Sequence, residues 1–187
     1  MNVYDWDKTI YPKDSSAEFF LYNVKNDLTL LRFFPRQLLG WILWGLKIID
    51  KTEMKKYFYS YLPGVKNIDE KLETFWDERI SKVNSWYRDL QQEDDVVVSA
   101  SAYFLVEPAC RRLKIRHLIA SEVDRYTGEV LSKNCSSQQK VERMIAAGYQ
   151  IDEIENFYSD SNNDRFLAGR AKKAYKVING KIKDWKF

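Results

Sequence analysis

From residue 93 onward, apolar positions alternate between short β-branched runs and stretches at helical spacing. Val96-Val97-Val98-Ser99 is an unbroken run of the kind expected of a strand buried on both faces of a parallel sheet. A helical segment follows from Phe104 to Leu113, bent at Pro108, then a strand near Leu118 to Val123. Tyr126-Thr127-Gly128 turns the chain into Glu129-Val130-Leu131, and Ser136 with Gln139 forms a capping box opening a helix that ends before Gly148. Asn156 to Asp160 predicts a strand ending in acid, and a short helix from Phe166 to Ala171 follows it. Tyr175 to Trp185 predicts a hairpin about Asn179-Gly180. The opening run, Val3 to Asp7, is another strand ending in acid.

The intervening stretch has only the helical period. Ser15 or Ser16 is placed to cap a helix, and Ala17 to Leu62 is apolar, aromatic and helical, broken at Pro35 and loosened at Gly40 and Gly45. Pro63-Gly64 stops it. Asn67 and Glu70 make a second capping box, and Ile68 to Leu90 carries the spacing of one long amphipathic helix. The expectation is an α/β fold: a parallel sheet flanked by helices in residues 1–12 and 93–187, interrupted by an all-helical insertion over 13–92.

Composition narrows the chemistry. With 30 Lys+Arg against 27 Asp+Glu the net charge is only +3, so no nucleic-acid partner is expected. The single histidine, His117, removes every scheme needing several and is read as starting a core strand. Cys110 and Cys135 lack metal or disulfide spacing and are read as reduced buried thiols. Nothing at the N-terminus reads as a signal peptide. The longest uncharged apolar run, Gln37 to Leu46, is about half of what a membrane span needs. A cytoplasmic protein with no transmembrane span is expected; the sequence assigns no oligomeric state.

Ligands of such sheets bind beyond the carboxyl ends of the strands, where this chain places Asp5 and Asp7, Ser99, and Asp160. Asp5 and Asp7 are two apart, so strand periodicity lets both address one side of a site. A carboxylate can attack phosphorus and form an aspartyl-phosphate, but anion meeting anion requires a divalent cation. Mg2+ suits, held by one or two carboxylates, water and the substrate phosphate. Asp160 would supply the second carboxylate, with Asp164 holding it or a bound water. Ser99, Asn163 and a lysine near the start of the 136–147 helix would meet the phosphoryl oxygens.

Four pieces in this order resemble the haloacid dehalogenase (HAD) superfamily of phosphatases, in the branch containing phosphoserine phosphatase. Val3-Tyr4-Asp5-Trp6-Asp7-Lys8-Thr9 is similar to the D-x-D-x-T motif ending the first strand, and Val96 to Ser101 to the second motif. Leu105-Val106-Glu107-Pro108, Ile119-Ala120-Ser121-Glu122 and Tyr126-Thr127-Gly128 resemble that branch's signature; Phe157 to Asp164 is similar to the fourth, acidic motif. The resemblance implies a Rossmann-like parallel sheet with an inserted helical cap (type C1) and a two-step, Mg2+-dependent phosphomonoesterase. It assigns Asp5 as nucleophile and Asp7 as acid and then base. Asp5, Asp7 (through its carbonyl), Asp160 and Asp164 form the metal site, and Thr9, Ser99, Lys140 and Asn163 the phosphate site. Lys140 is preferred over Lys133 as the third-motif lysine. The chain departs from the pattern at Lys8 and Ser159, where glycine is common, and at Asp14, where phosphoserine phosphatases carry a glutamate for the substrate's amino group. Asp14 is thus a candidate substrate contact.

The insertion usually selects the substrate. Residues 13–66 hold nine Lys/Arg against five Asp/Glu and eleven of the chain's 28 aromatics. One reading is a helical core with basic side chains snorkelling over it. The other is a face meeting an apolar or anionic surface, with Trp41, Trp44, Arg32 and Arg36 at lipid headgroups. The expected partner is therefore a phosphorylated small molecule, with a lipid headgroup and peripheral membrane contact as the alternative. The Asp-Ser after the first strand, the apolar helix and the Tyr-Ser-Asp-Ser-Asn string are also similar to phosphatidylglycerophosphate phosphatases of the same superfamily. A catalytically idle HAD-like binding protein is the remaining alternative, opposed by the intact acidic set. The last stretch, Arg165 to Phe187, holds eight Lys/Arg against one Asp and is read as a solvated basic helix face, with electrostatic attraction of phosphate esters as the alternative.

Overall fold

Val96, Val97 and Val98 lie on an interior strand of a six-stranded sheet. A computed structural model describes residues 1–186 of the chain. The strands are β1 (Asn2–Tyr4), β2 (Val96–Ala102), β3 (His117–Ser121), β4 (Asn156–Ser159), β5 (Lys173–Ile178) and β6 (Lys181–Asp184), in the order β3-β2-β1-β4-β5-β6. The first five are mutually parallel; β6 returns antiparallel to β5 through Asn179 and Gly180, both at positive φ (50° and 74°), as a tight hairpin turn requires. Val3 pairs with Val96 on one side and Phe157 on the other, so the carboxyl ends of β1, β2 and β4 open at one edge of the sheet.

Strand alternation splits the core in two. Val3, Val96, Val98 and Phe157 pack with Met144 and Leu167 on one face. Tyr4, Val97 and Tyr158 face the other way, towards Trp76, Tyr87 and Leu105. Tyr4 stacks on Tyr158 at 4.7 Å, and Tyr158 on Tyr175 at 4.8 Å.

Between β1 and β2 run α1 (Ser15–Asn26), α2 (Phe34–Gly45), α3 (Lys51–Phe58), α4 (Ile68–Asp77) and α5 (Ser85–Leu90). After β2 come α6 (Tyr103–Arg112), α7 (Gln138–Ala146) and the short α8 (Arg165–Ala168). The insertion has no core of its own: Phe19, Phe75 and Trp76 belong to the cluster containing Tyr4, Trp6 and Val97. The Trp76 indole N–H donates to the Leu105 carbonyl at 2.6 Å.

Several local expectations are corrected. The long helix from 68 to 90 breaks after Asp77, makes a 3-10 turn over Ile80–Lys82 and resumes at Ser85. The break presents Asn84 to the loop after β1: its N–H donates to the Ile10 carbonyl (3.0 Å) and its side-chain amide to the Thr9 carbonyl (2.7 Å). Tertiary hydrogen bonds outweigh an uninterrupted helical period here. Asp14, rather than Ser15 or Ser16, caps α1, accepting from the Ala17 N–H at 2.9 Å. Neither capping box forms. Asn67 takes a left-handed conformation with no side-chain cap, and α7 opens after Ser137 while the Ser136 hydroxyl accepts from Asn134. β3 ends at Ser121, leaving Val123 a single bridge to Val130. His117 does begin a strand, but on the sheet's edge, half-buried, with its ring edge-on to Tyr149. Both cysteines are free and buried. Among the described residues no helix is long and apolar enough to cross a membrane.

Gly128 ties the loop after β3 to the insertion. Its φ is +74°, and a Cβ there would sit 2.3 Å from the Tyr59 carbonyl oxygen. Gly128→Ala combines left-handed strain with a backbone clash and is expected to cost at least about 2 kcal/mol, lowering Tm by about 5 °C in a thermal melt. An unchanged Tm would show that this contact does not hold the loop.

Candidate active site

Asp5 leaves the end of β1 with its N–H on the Tyr158 carbonyl (2.9 Å), which turns its carboxyl into the space beyond the strands. Lys140, in the first turn of α7 and only 1% exposed, donates to Asp5 Oδ1 at 2.6 Å and to Asp164 Oδ2 at 2.8 Å. The same Asp164 oxygen accepts from the Ser159 hydroxyl at 2.7 Å. Ser159 also accepts from the Ser161 N–H, so the serine in place of the common glycine helps position the acidic loop. Lys8, the other departure, adopts φ +58°, a left-handed conformation that suits glycine better.

Asp7 faces the insertion. One oxygen accepts from the Ser15 N–H at 2.8 Å and the other from the Ser101 hydroxyl. Ser101 continues to Ser16 (3.0 Å), and Ser16 to the Tyr59 hydroxyl (3.1 Å), linking both halves of the chain through one polar chain. These groups surround a cavity of about 280 Å³. Asp5, Asp7, Lys140, Asp160, Asn163 and Asp164 line its sheet side; Asp14, Lys51, Lys55 and the aromatic rings of Trp41, Trp44 and Phe58 line the side formed by the insertion.

Charge and burial oppose one another. Burial, with further help from the Asp164 and Asp160 charges, pushes Asp5 up to about 7 against the pull of Lys140. Burial and the neighbouring Asp14 charge push Asp7 up to about 6, although the Ser101 and Ser15 hydrogen bonds oppose the rise. Burial likewise raises Asp160. Burial would lower Lys140, but Asp5 and Asp164 outweigh it and hold the ammonium above its ordinary range. Lys55, whose ammonium donates to the Ala100 carbonyl, is pushed down to about 8 by burial and by Lys51.

Two expected phosphate ligands lie behind the cavity wall. Thr9 is fully buried and its hydroxyl oxygen accepts from the Asp160 N–H at 3.0 Å, so it positions the fourth acidic loop. Ser99 is also fully buried, with its hydroxyl oxygen accepting from the Ser101 N–H. An irregularity in β2 between Ser99 and Ala102 shifts the register and puts Ser101 on the wall instead. Lys133 is exposed and away from the cavity; its carbonyl accepts from Arg143. Asp14 is on the wall, with one oxygen already engaged as the α1 cap.

Sequence reasoning missed Ser101, Ser16, Tyr59 and Lys55. Ser101 reaches the wall through the register shift after Ser99, for which the sequence carries no signal. Nothing in the sequence separates Lys55 from its neighbours Lys51 and Lys56. Among the described residues no three His, Cys, Asp or Glu side chains stand close enough to chelate a metal on their own. That fits a cation taking one or two carboxylates and filling its remaining positions from water and ligand. Lys8, Lys140 and Lys176 offset part of the charge on these carboxylates, and the all-oxygen donor set suits a hard divalent cation.

Solved structures share the overall fold. A protein of unknown function from Bordetella pertussis Tohama I is 20% identical, covering 93% of this chain and 87% of that one, with a TM-score of 0.74. A phosphoserine phosphohydrolase-like protein from Francisella tularensis subsp. tularensis SCHU S4 is 13% identical, covering 93% and 86%, with a TM-score of 0.61. A substrate-bound phosphoserine phosphatase complex is 13% identical, covering 92% and 82%, with a TM-score of 0.55. At these identities the likeness is one of fold. No curated protein matches the chain. The family described as haloacid dehalogenase-like hydrolase matches residues 3–168, a span that runs from β1 through β4 and α8 and includes the insertion. The chain belongs to the haloacid dehalogenase-like hydrolase family.

Proposed function

We propose that the protein is a Mg2+-dependent phosphatase that hydrolyses a phosphate monoester through an aspartyl-phosphate on Asp5. The observation that carries this reading is the pairing of two carboxylates with different surroundings: Asp5 held by Lys140, and Asp7 held by Ser101 and Ser15, both facing one cavity. Lys140 occupies Asp5 Oδ1, leaving Oδ2 to attack phosphorus in line. The P–O bond to the leaving group breaks as the new P–O bond forms. Burial and the Asp14 charge raise Asp7 above the ordinary carboxylate range, which favours the protonated form that gives its proton to the leaving oxygen. Asp7 then takes a proton from the water that opens the acyl phosphate, returning Asp5 to its carboxylate. Lys140 remains protonated throughout, offsetting the negative charge of the phosphoryl group.

Asp5, Asp160, the Asp7 carbonyl and, behind them, Asp164 would hold Mg2+, which when bound offsets phosphate charge and lets the anionic nucleophile approach. Asn163 and Ser101 would contact the phosphoryl oxygens, Asp14 the remainder of the substrate, and residues 13–92 would form the substrate-selecting cap. Hydrolysis of a generic aryl phosphate by the purified protein should vanish after exhaustive chelation and return on adding Mg2+. Full activity in the chelated protein would rule this site chemistry out.

A further inference from the structure

α2 is inside out for a helix in water. Its buried residues are Gln37 and Gly40, which pack on α3: the Gln37 amide donates to the Phe58 carbonyl at 2.8 Å, and Gly40 lies against the Tyr57 ring. Most of its large apolar side chains are exposed. Phe34, Leu38, Leu39 and Ile42 are 46–50% exposed, and the flanking turns add Leu31 and Leu46. Ten of the eighteen large apolar side chains exposed among the described residues fall between 28 and 48. A contiguous patch of this kind marks an interaction surface.

Charge identifies what covers it. Residues 28–48 contain Arg32, Arg36 and Lys47, all exposed, and no Asp or Glu. The flanking acids are turned back to the fold as caps: Asp27 accepts from the Thr29 N–H and Asp50 from the Glu53 N–H. Face-to-face contact with a second copy would bring these cations against their own images with no acid between them. Apolar side chains ringed by cations, with tryptophans at the margin, instead match a bilayer surface carrying anionic headgroups. Trp41 and Trp44, edge to face at 5.6 Å, belong both to this surface and to the cavity wall.

We infer that the exposed face of α2 and its flanking turns docks on an anionic lipid bilayer, so that the cavity opens beside the membrane surface at Trp41 and Trp44. The docking rests on the exposed face alone; only its consequence for how substrate reaches Asp5 rests on the phosphatase reading. The test is flotation of the full chain with phosphatidylcholine vesicles prepared with and without phosphatidylglycerol. The protein should float with the anionic vesicles and remain behind with the neutral ones. Leu38→Asp/Ile42→Asp and, separately, Arg32→Glu/Arg36→Glu should each reduce the vesicle-bound fraction at least about tenfold. Neither pair lines the cavity, so both variants should keep wild-type turnover of a soluble aryl phosphate without vesicles. Failure to float with anionic vesicles, equal flotation with neutral ones, or flotation indifferent to either pair would overturn the inference. So would light scattering that finds a dimer dispersed by Leu38→Asp/Ile42→Asp, because a second copy would then cover the face. Absence of aryl phosphatase activity alongside normal flotation would count against the phosphatase reading alone.

Discussion

Asp5→Asn is expected to lower turnover of an aryl phosphate by about 10⁴-fold or more while leaving the fold intact. The amide has almost the shape of the carboxylate, and its oxygen still accepts from Lys140, whose other partner Asp164 is unchanged. It carries no charge and is too weak a nucleophile to attack phosphorus. Circular dichroism and the melting curve should match wild type. A variant that retains substantial activity, with deamidation back to Asp excluded by mass, would remove Asp5 from the nucleophile's role.

Lys140→Met is expected to damage both stability and catalysis. Methionine fills much of the same volume, but two buried carboxylates lose their common counter-charge. Breaking a buried pair by removing one partner costs about 3–5 kcal/mol, roughly 10 °C in Tm for a chain of this size. Activity should fall by about 10²–10³-fold with the loss of positive charge at the phosphoryl oxygens. The deficit has a definite pH dependence. Without the lysine, Asp5, already raised by burial, ionises still less readily in the folded state than in the unfolded one. A carboxyl group raised in this way costs nothing while both states are protonated and progressively more as pH climbs towards its folded value. The loss of stability should therefore be smaller at about pH 5 than at about pH 8. Lys133→Met, at an exposed position outside the cavity, should leave Tm and activity unchanged. Equal effects of the two substitutions would contradict the roles given to these lysines.

The alternation of β-branched runs with helical spacing made the parallel sheet readable, because a strand such as Val96 to Val98 buried on both faces leaves an unmistakable run. The strand-end carboxylates were readable for the same reason: strand order and parity determine where Asp5, Asp7 and Asp160 emerge. What escaped depends on contacts distant in sequence. The break between α4 and α5 answers to the Thr9 and Ile10 carbonyls, some 75 residues away. The exchange of Ser99 for Ser101 on the wall comes from a local register shift in β2 that no periodicity announces. Lys55 enters the site only because α3 folds back over the Ala100 carbonyl. The apolar character of residues 28–48 was visible in the sequence; that it faces outward was not, because a helical period cannot say which side of a helix is covered.

The proposed chemistry passes through a covalent phosphoryl group on Asp5. Borohydride reduction of the enzyme quenched during turnover converts an aspartyl-phosphate to homoserine, and peptide mass mapping locates the residue. Homoserine should appear at position 5, dependent on substrate and absent from Asp5→Asn. Homoserine at another aspartate, or none while turnover is demonstrably under way, would contradict it.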